Sequence, residues 1–169
     1  VIKLSRNYGN ATMVESISRN ERRTVMPIQV FNAQMAWSGQ GVYCEGGTRG
    51  FTVATDEPKE LGGDDRAMNP VELLLCSLGG CMCICAAAFA RKCRVELQGV
   101  SVELEGDLDP DGFLGKNPEA RKGYQQIRYR IKIDSPSPQE NIDQLLAVIE
   151  ERCPVSDTLC GVEVVKHQS

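Results

Sequence analysis

Apolar and polar positions alternate with a period of two in several separate stretches of this chain, and follow a helical period in only two. Ile28-Gln29-Val30-Phe31 and Ala33 to Trp37 read as one strand that ends at Ser38-Gly39. Gly41 to Glu45 and Phe51 to Thr55 follow as two more strands, divided by the turn signal Gly46-Gly47, so that the three make an antiparallel meander. Asp56 to Met68, with Pro58, Gly62 and Gly63, is a loop. Asn69 then offers an N-cap side chain and Pro70 suits the first helical position. The pattern carries this helix to about Lys92, where Arg91 and Lys92 complement the C-terminal dipole.

Val95 to Gly106 alternates again, with a slip at Gly99, and Asp107 to Gly123 is a long exposed loop. Ile127, Tyr129, Ile131 and Ile133 alternate with Arg128, Arg130 and Lys132, which predicts a strand with one buried and one solvated face. After the break at Ser135 to Pro138, Asn141 is expected to cap a second helix with the apolar stripe Ile142, Leu145, Leu146, Val148 and Ile149. Cys153-Pro154 stops it, and Val162 to Val165 makes a last strand. Runs of strands separated by two helices indicate an α+β fold with a largely antiparallel sheet. The first helix is apolar on every side, which one sheet and one helix cannot cover. Packing two such helices between two sheets in a homodimer resolves that.

The chain has 169 residues, enough for a single domain over 27–169 behind a poorly defined extension over 1–26, in which Glu15 to Arg23 reads as a short helix. A net charge of −4 gives no electrostatic footprint for nucleic acid, and the short basic run Arg19, Arg22 and Arg23 reads as a solvated N-terminal face. No stretch is expected to span a membrane, because Glu72, Ser77, Gly79 and Gly80 interrupt the apolar run from Val71 to Ala90. Lys3, Arg6 and Asn7 break any secretory signal pattern at the start. Cys76, Cys81, Cys83, Cys85 and Cys93, five of the eight cysteines, crowd into the first helix or its end. That spacing is unlike a disulfide scaffold and predicts a cytoplasmic protein with mostly reduced thiols.

Two stretches carry a resemblance. One is Asp56-Glu57-Pro58-Lys59-Glu60-Leu61-Gly62-Gly63 followed by Asn69-Pro70-Val71-Glu72-Leu73-Leu74-Leu75 and Leu78-Gly79-Gly80-Cys81; the other is Cys153-Pro154-Val155-Ser156. Together they resemble the OsmC/Ohr family of hydroperoxide-handling proteins, known for osmotic induction and organic hydroperoxide resistance, and the element order agrees from about residue 28 onward. The resemblance implies an intertwined homodimer in which antiparallel sheets sandwich the central helices. It implies a stress-response peroxidase without metal or organic cofactor, in which Cys81 reduces an organic hydroperoxide and Cys153 resolves the resulting sulfenic acid. An external dithiol would then restore both thiols. An apolar surround from Leu78, Met82, Phe89 and partner residues would favour organic peroxides.

One departure stands out. Peroxidases of that family hold the reactive thiol ionised with an arginine and a glutamate, and the expected glutamate position is Val71 here. Glu72 is one residue later, which turns it about 180° around the helix from Cys81. Ala54 occupies the place of the arginine, with Arg49 and Arg66 as the nearby substitutes. A family member that binds a small apolar ligand without turnover is therefore the alternative. The other cysteines read as packing residues, with Cys85 one turn beyond Cys81 on the same face. A zinc set of Cys81, Cys85, Cys153 and Cys160 is the third reading. His167 is the sole histidine and leaves a serine-type triad without a base.

Overall fold

The computed structural model describes residues 26–159 and 161–166. The chain forms two units, Val1–Asn32 and Ala33–Ser169. In the first, residues 26–32 are irregular and exposed, and the helix expected over Glu15 to Arg23 lies outside the described residues.

The second unit carries two three-stranded sheets. In the first, β1 (Gln34–Trp37), β2 (Cys44–Thr48) and β3 (Phe51–Thr55) form the expected antiparallel meander. Its opening strand is shorter than the sequence suggests, since Ile28 to Phe31 carry no ladder. The turn also sits elsewhere. Gly46 and Gly47 lie inside β2, paired with Val53 and Thr52, and the chain reverses at Arg49-Gly50, both at positive φ (52° and 85°). Glycine is required at 46 and 47 for another reason: a Cβ there would collide with the Gln34 and Phe51 carbonyl oxygens. The sheet leaves Trp37 63% and Phe51 67% exposed, so it has uncovered apolar surface.

Asn69 caps α1 (Pro70–Phe89) through a complete capping box. Its side-chain oxygen accepts from the Glu72 backbone N–H at 2.8 Å, and the Glu72 carboxylate accepts from the Asn69 backbone N–H at 2.8 Å. The helix ends earlier than the expected Lys92, because Arg94 turns into the left-handed region (φ 58°) and Val95 N–H returns to the Ala90 carbonyl. By length and composition α1 does pass as a membrane span, at 20 residues and mean hydropathy 2.0, which corrects the expectation that no stretch would. Here it is a packing helix: Leu78, Met82, Cys85 and Ala86 form its buried stripe, against β4, α3 and α4. Its opposite side is open, with Ile84 70% exposed.

The second sheet joins β4 (Gly99–Asp107) to β5 (Gln126–Asp134) antiparallel, and β5 to β6 (Glu163–Lys166) in parallel. Alternation decides its faces. Ile127 and Tyr129 are buried and Ile131 and Ile133 half-buried, while Glu103 and Glu105 pair outward with Arg130 and Arg128. Two close approaches seat α1 on this sheet. A Cβ at Gly79 would come within 2.8 Å of the Leu104 side chain, so the glycine permits contact with β4; Gly80 has no such neighbour. Gly106 leaves room for the Tyr124 ring, whose hydroxyl donates to the Val71 carbonyl at 3.0 Å in the first turn of α1.

The loop between β4 and β5 holds a single helical turn, α2 (Pro110–Phe113), capped by Asp109. After β5, α3 (Gln139–Arg152) starts at Pro138, not at Asn141. Asn141 lies within the first turn and its amide donates instead to the Arg94 carbonyl at 3.1 Å, tying α3 to the end of α1. Leu145 and Ile149 of α3 are fully buried, each stabilising the core by about 1.5–3 kcal/mol. Cys153 ends α3 and begins α4 (Pro154–Thr158) at one residue, its backbone extended (φ −71°, ψ 107°) as the following proline requires.

Candidate active site

The sequence puts Cys81 in mid-helix and Cys153 at a helix end, far apart in the chain. Folding packs α1 against both α3 and α4, and the junction of those two helices is Cys153. Cys81 thereby packs against the core cluster that holds Cys153, near enough to raise the Cys153 pKa. Cys85, one turn beyond Cys81, belongs to the same cluster, and both other thiols influence its titration. All three are free thiols, Cys81 half-buried and the other two buried.

Their environments differ. Burial pushes the Cys153 thiol up to about 11, and the Ser156 backbone N–H only partly offsets this; the neighbouring Cys81 and Cys85 push it up further. Burial also raises Cys85, followed by the charge and hydrogen bond of Cys81. Both of these sulfurs therefore stay protonated at neutral pH. Cys81 is the most exposed of the three.

The charged residues weighed as activators are engaged elsewhere. Glu72 closes the capping box with Asn69. The Arg66 guanidinium lies 3.9 Å over the Tyr43 ring, and Arg49 lies 5.5 Å over Phe51. Arg66 also helps shape the loop before α1: its backbone N–H, with those of Glu57 and Asp64, donates to the buried Asp56 carboxylate, which these bonds hold below its ordinary pKa. Among the described residues no group of three or more Cys, His, Asp or Glu is arranged to hold a metal ion. Cys160, the fourth member of the zinc reading, lies outside them.

Residues 62–166 match the model of the OsmC-like protein family. The chain belongs to that family. It is 25% identical over 120 residues to a protein of Mycoplasma genitalium named hydroperoxide reductase, across 69% of this chain and 77% of the relative. The OsmC-like protein from Mycoplasma pneumoniae superposes with a TM-score of 0.70 at 16% identity, covering 83% of this chain and 96% of that one. The organic hydroperoxide resistance protein from Legionella pneumophila superposes with a TM-score of 0.62 at 22% identity, over 85% of this chain and all of that one. These similarities show the α+β OsmC fold.

Sequence reasoning placed Cys81 and Cys153 as a pair and set Cys85 aside as packing. The signal for Cys85 was present, since spacing put it on the face of Cys81. What spacing lacked was the location of the α3–α4 junction, which brings Cys153 to the side of α1 that packs in the core.

Proposed function

We propose that this OsmC-like protein is a thiol-dependent peroxidase for organic hydroperoxides, with Cys81 as the peroxidatic and Cys153 as the resolving thiol. The observation that carries this is a half-buried Cys81 thiol beside a buried Cys153 thiol at the α3–α4 junction. The Cys81 thiolate attacks the O–O bond, taking one oxygen as a sulfenic acid, and the leaving alkoxide takes a proton to become an alcohol. The Cys153 thiol then displaces water from Cys81, forming a disulfide. An external dithiol reduces that bond by exchange, so the cycle belongs in a compartment that supplies one, the cytoplasm.

We place the site in a homodimer. The exposed side of α1 around Ile84 and the open face of β1–β3, with Trp37 and Phe51, are the apolar surfaces a second copy would cover. Consumption of cumene hydroperoxide with a dithiol tests the function. Turnover that vanishes in Cys81→Ser supports it, and turnover unaffected by that change refutes it.

One observation favours a second reading. Glu72 serves the helix cap and Arg66 stacks on Tyr43, so these substitutes for the activating charges of the family's peroxidases are engaged elsewhere. A relative without them would hold a small apolar compound and gain thermal stability from it, with little peroxide consumed.

A further inference from the structure

Cys85 lies one helical turn beyond Cys81 on the same face of α1, 6% exposed, in the core cluster that also contains Cys153. Four residues apart on one helix face, the two side chains are neighbours, with Cβ atoms about 5–6 Å apart. A packing residue at this place would need no polar hydrogen; a thiol offers one next to the sulfur that must ionise.

We propose that Cys85 is a positioning residue whose S–H donates to the Cys81 thiolate, supplying part of the activation that Val71 and Ala54 cannot. It rests on the assignment of Cys81 as the reacting sulfur. Among the described residues, the titratable groups whose interaction with Cys81 is resolved are Cys85 from α1 itself and Cys153 from the α3–α4 junction, while β4 presents Val102 and Leu104 to this helix at Gly79. Burial and the nearness of Cys81 both keep the Cys85 proton in place, so it remains a donor when Cys81 ionises.

Geometry excludes the other use of a neighbouring thiol. Residues four apart on a helix hold their Cβ atoms about 5–6 Å apart, whereas a disulfide needs about 3.5–4.5 Å. Cys85 therefore cannot resolve a Cys81 sulfenic acid without bending α1. Cys153, arriving from another element, is free of that restriction.

The test is the pH profile of Cys81 alkylation by iodoacetamide, read by peptide mass spectrometry on the full chain, in wild type, Cys85→Ala and Cys85→Ser. Alanine removes the donor and serine keeps one. Loss of the bond should raise the half-alkylation pH by about 0.4 unit in Cys85→Ala, roughly a 2.5-fold loss of thiolate at pH 7, with recovery in Cys85→Ser. A wild-type profile in Cys85→Ala, or equal shifts in both variants, would overturn the proposal. If Cys85→Ala does not fold, the equal-volume pair Cys85→Thr and Cys85→Val makes the same comparison, threonine retaining the donor. A Cys81–Cys85 disulfide in peroxide-treated Cys153→Ser would also overturn it. Alkylation needs no peroxidase turnover, so an inactive protein with the expected profiles would defeat the peroxidase assignment and leave this one standing.

Discussion

The buried thiol of Cys153, at the one residue shared by the end of α3 and the start of α4, sits in the core cluster against which the half-buried Cys81 of mid-α1 packs. Pro154 has a part in that placement. It prevents α3 from continuing and holds Cys153 extended, so the side chain is directed by a fixed junction rather than by a mobile loop.

The two thiols should therefore fail differently. Cys81→Ser removes the attacking sulfur and should abolish dithiol-supported consumption of cumene hydroperoxide. Cys153→Ser should still reduce about one equivalent per chain and then stall as Cys81 overoxidises to sulfinic acid. Single-turnover and steady-state peroxide assays on both variants separate the roles. A steady-state rate near wild type in either variant contradicts them.

Glu72 provides a check on the structural reading of the first turn. Asn69→Ala loses one partner of the capping box and should cost about 1 kcal/mol, a fall in melting temperature of about 2–4 °C for a chain of this size. Glu72→Gln can still accept from the Asn69 N–H, so it should keep both stability and turnover. A large loss of turnover with unchanged melting in Glu72→Gln would make the carboxylate an activating group after all.

Much of this architecture was legible in the residues, and the misses share a cause. The β4 and β5 strands were plain because their alternation is imposed by one buried and one solvated face. Asn69-Pro70 marked the start of α1 because a cap is a local device. Gly46-Gly47 misled as a turn because the glycines answer to the neighbouring strands, a tertiary demand. Asn141 looked like a cap, yet its amide serves the end of α1, another helix altogether. The pairing of Cys81 with Cys153 came from family resemblance, not from spacing. Cys85 was set aside because no pattern along the chain says which helix end will meet which helix face.

Alkaline pH should weaken the fold through Cys153. Its thiol is raised from the ordinary 9.0 to about 11, so the folded chain holds this proton where the unfolded chain has lost it. The contribution is complete below about pH 9 and is lost progressively as pH rises through about 11, on the order of 2–3 kcal/mol. Buried Cys85 and Tyr129 are shifted in the same direction. Urea melts across this range should show a shallower decline in Cys153→Ser than in wild type. Parallel declines would mean that the site does not hold the proton.

Self-association should depend on the open side of α1. Sedimentation is expected to give twice the 18.6 kDa chain mass, and Ile84→Glu, which places a charge on that apolar face, should shift it toward the monomer. A wild-type monomer at micromolar concentration would remove the dimer from the account.

The most direct measurement is mass spectrometry of the reduced protein after one equivalent of organic hydroperoxide. A loss of two hydrogens, mapped by peptide digestion to a Cys81–Cys153 bond, is the predicted result. Oxygen added separately to exposed thiols such as Cys76, with Cys81 and Cys153 unlinked, would contradict it.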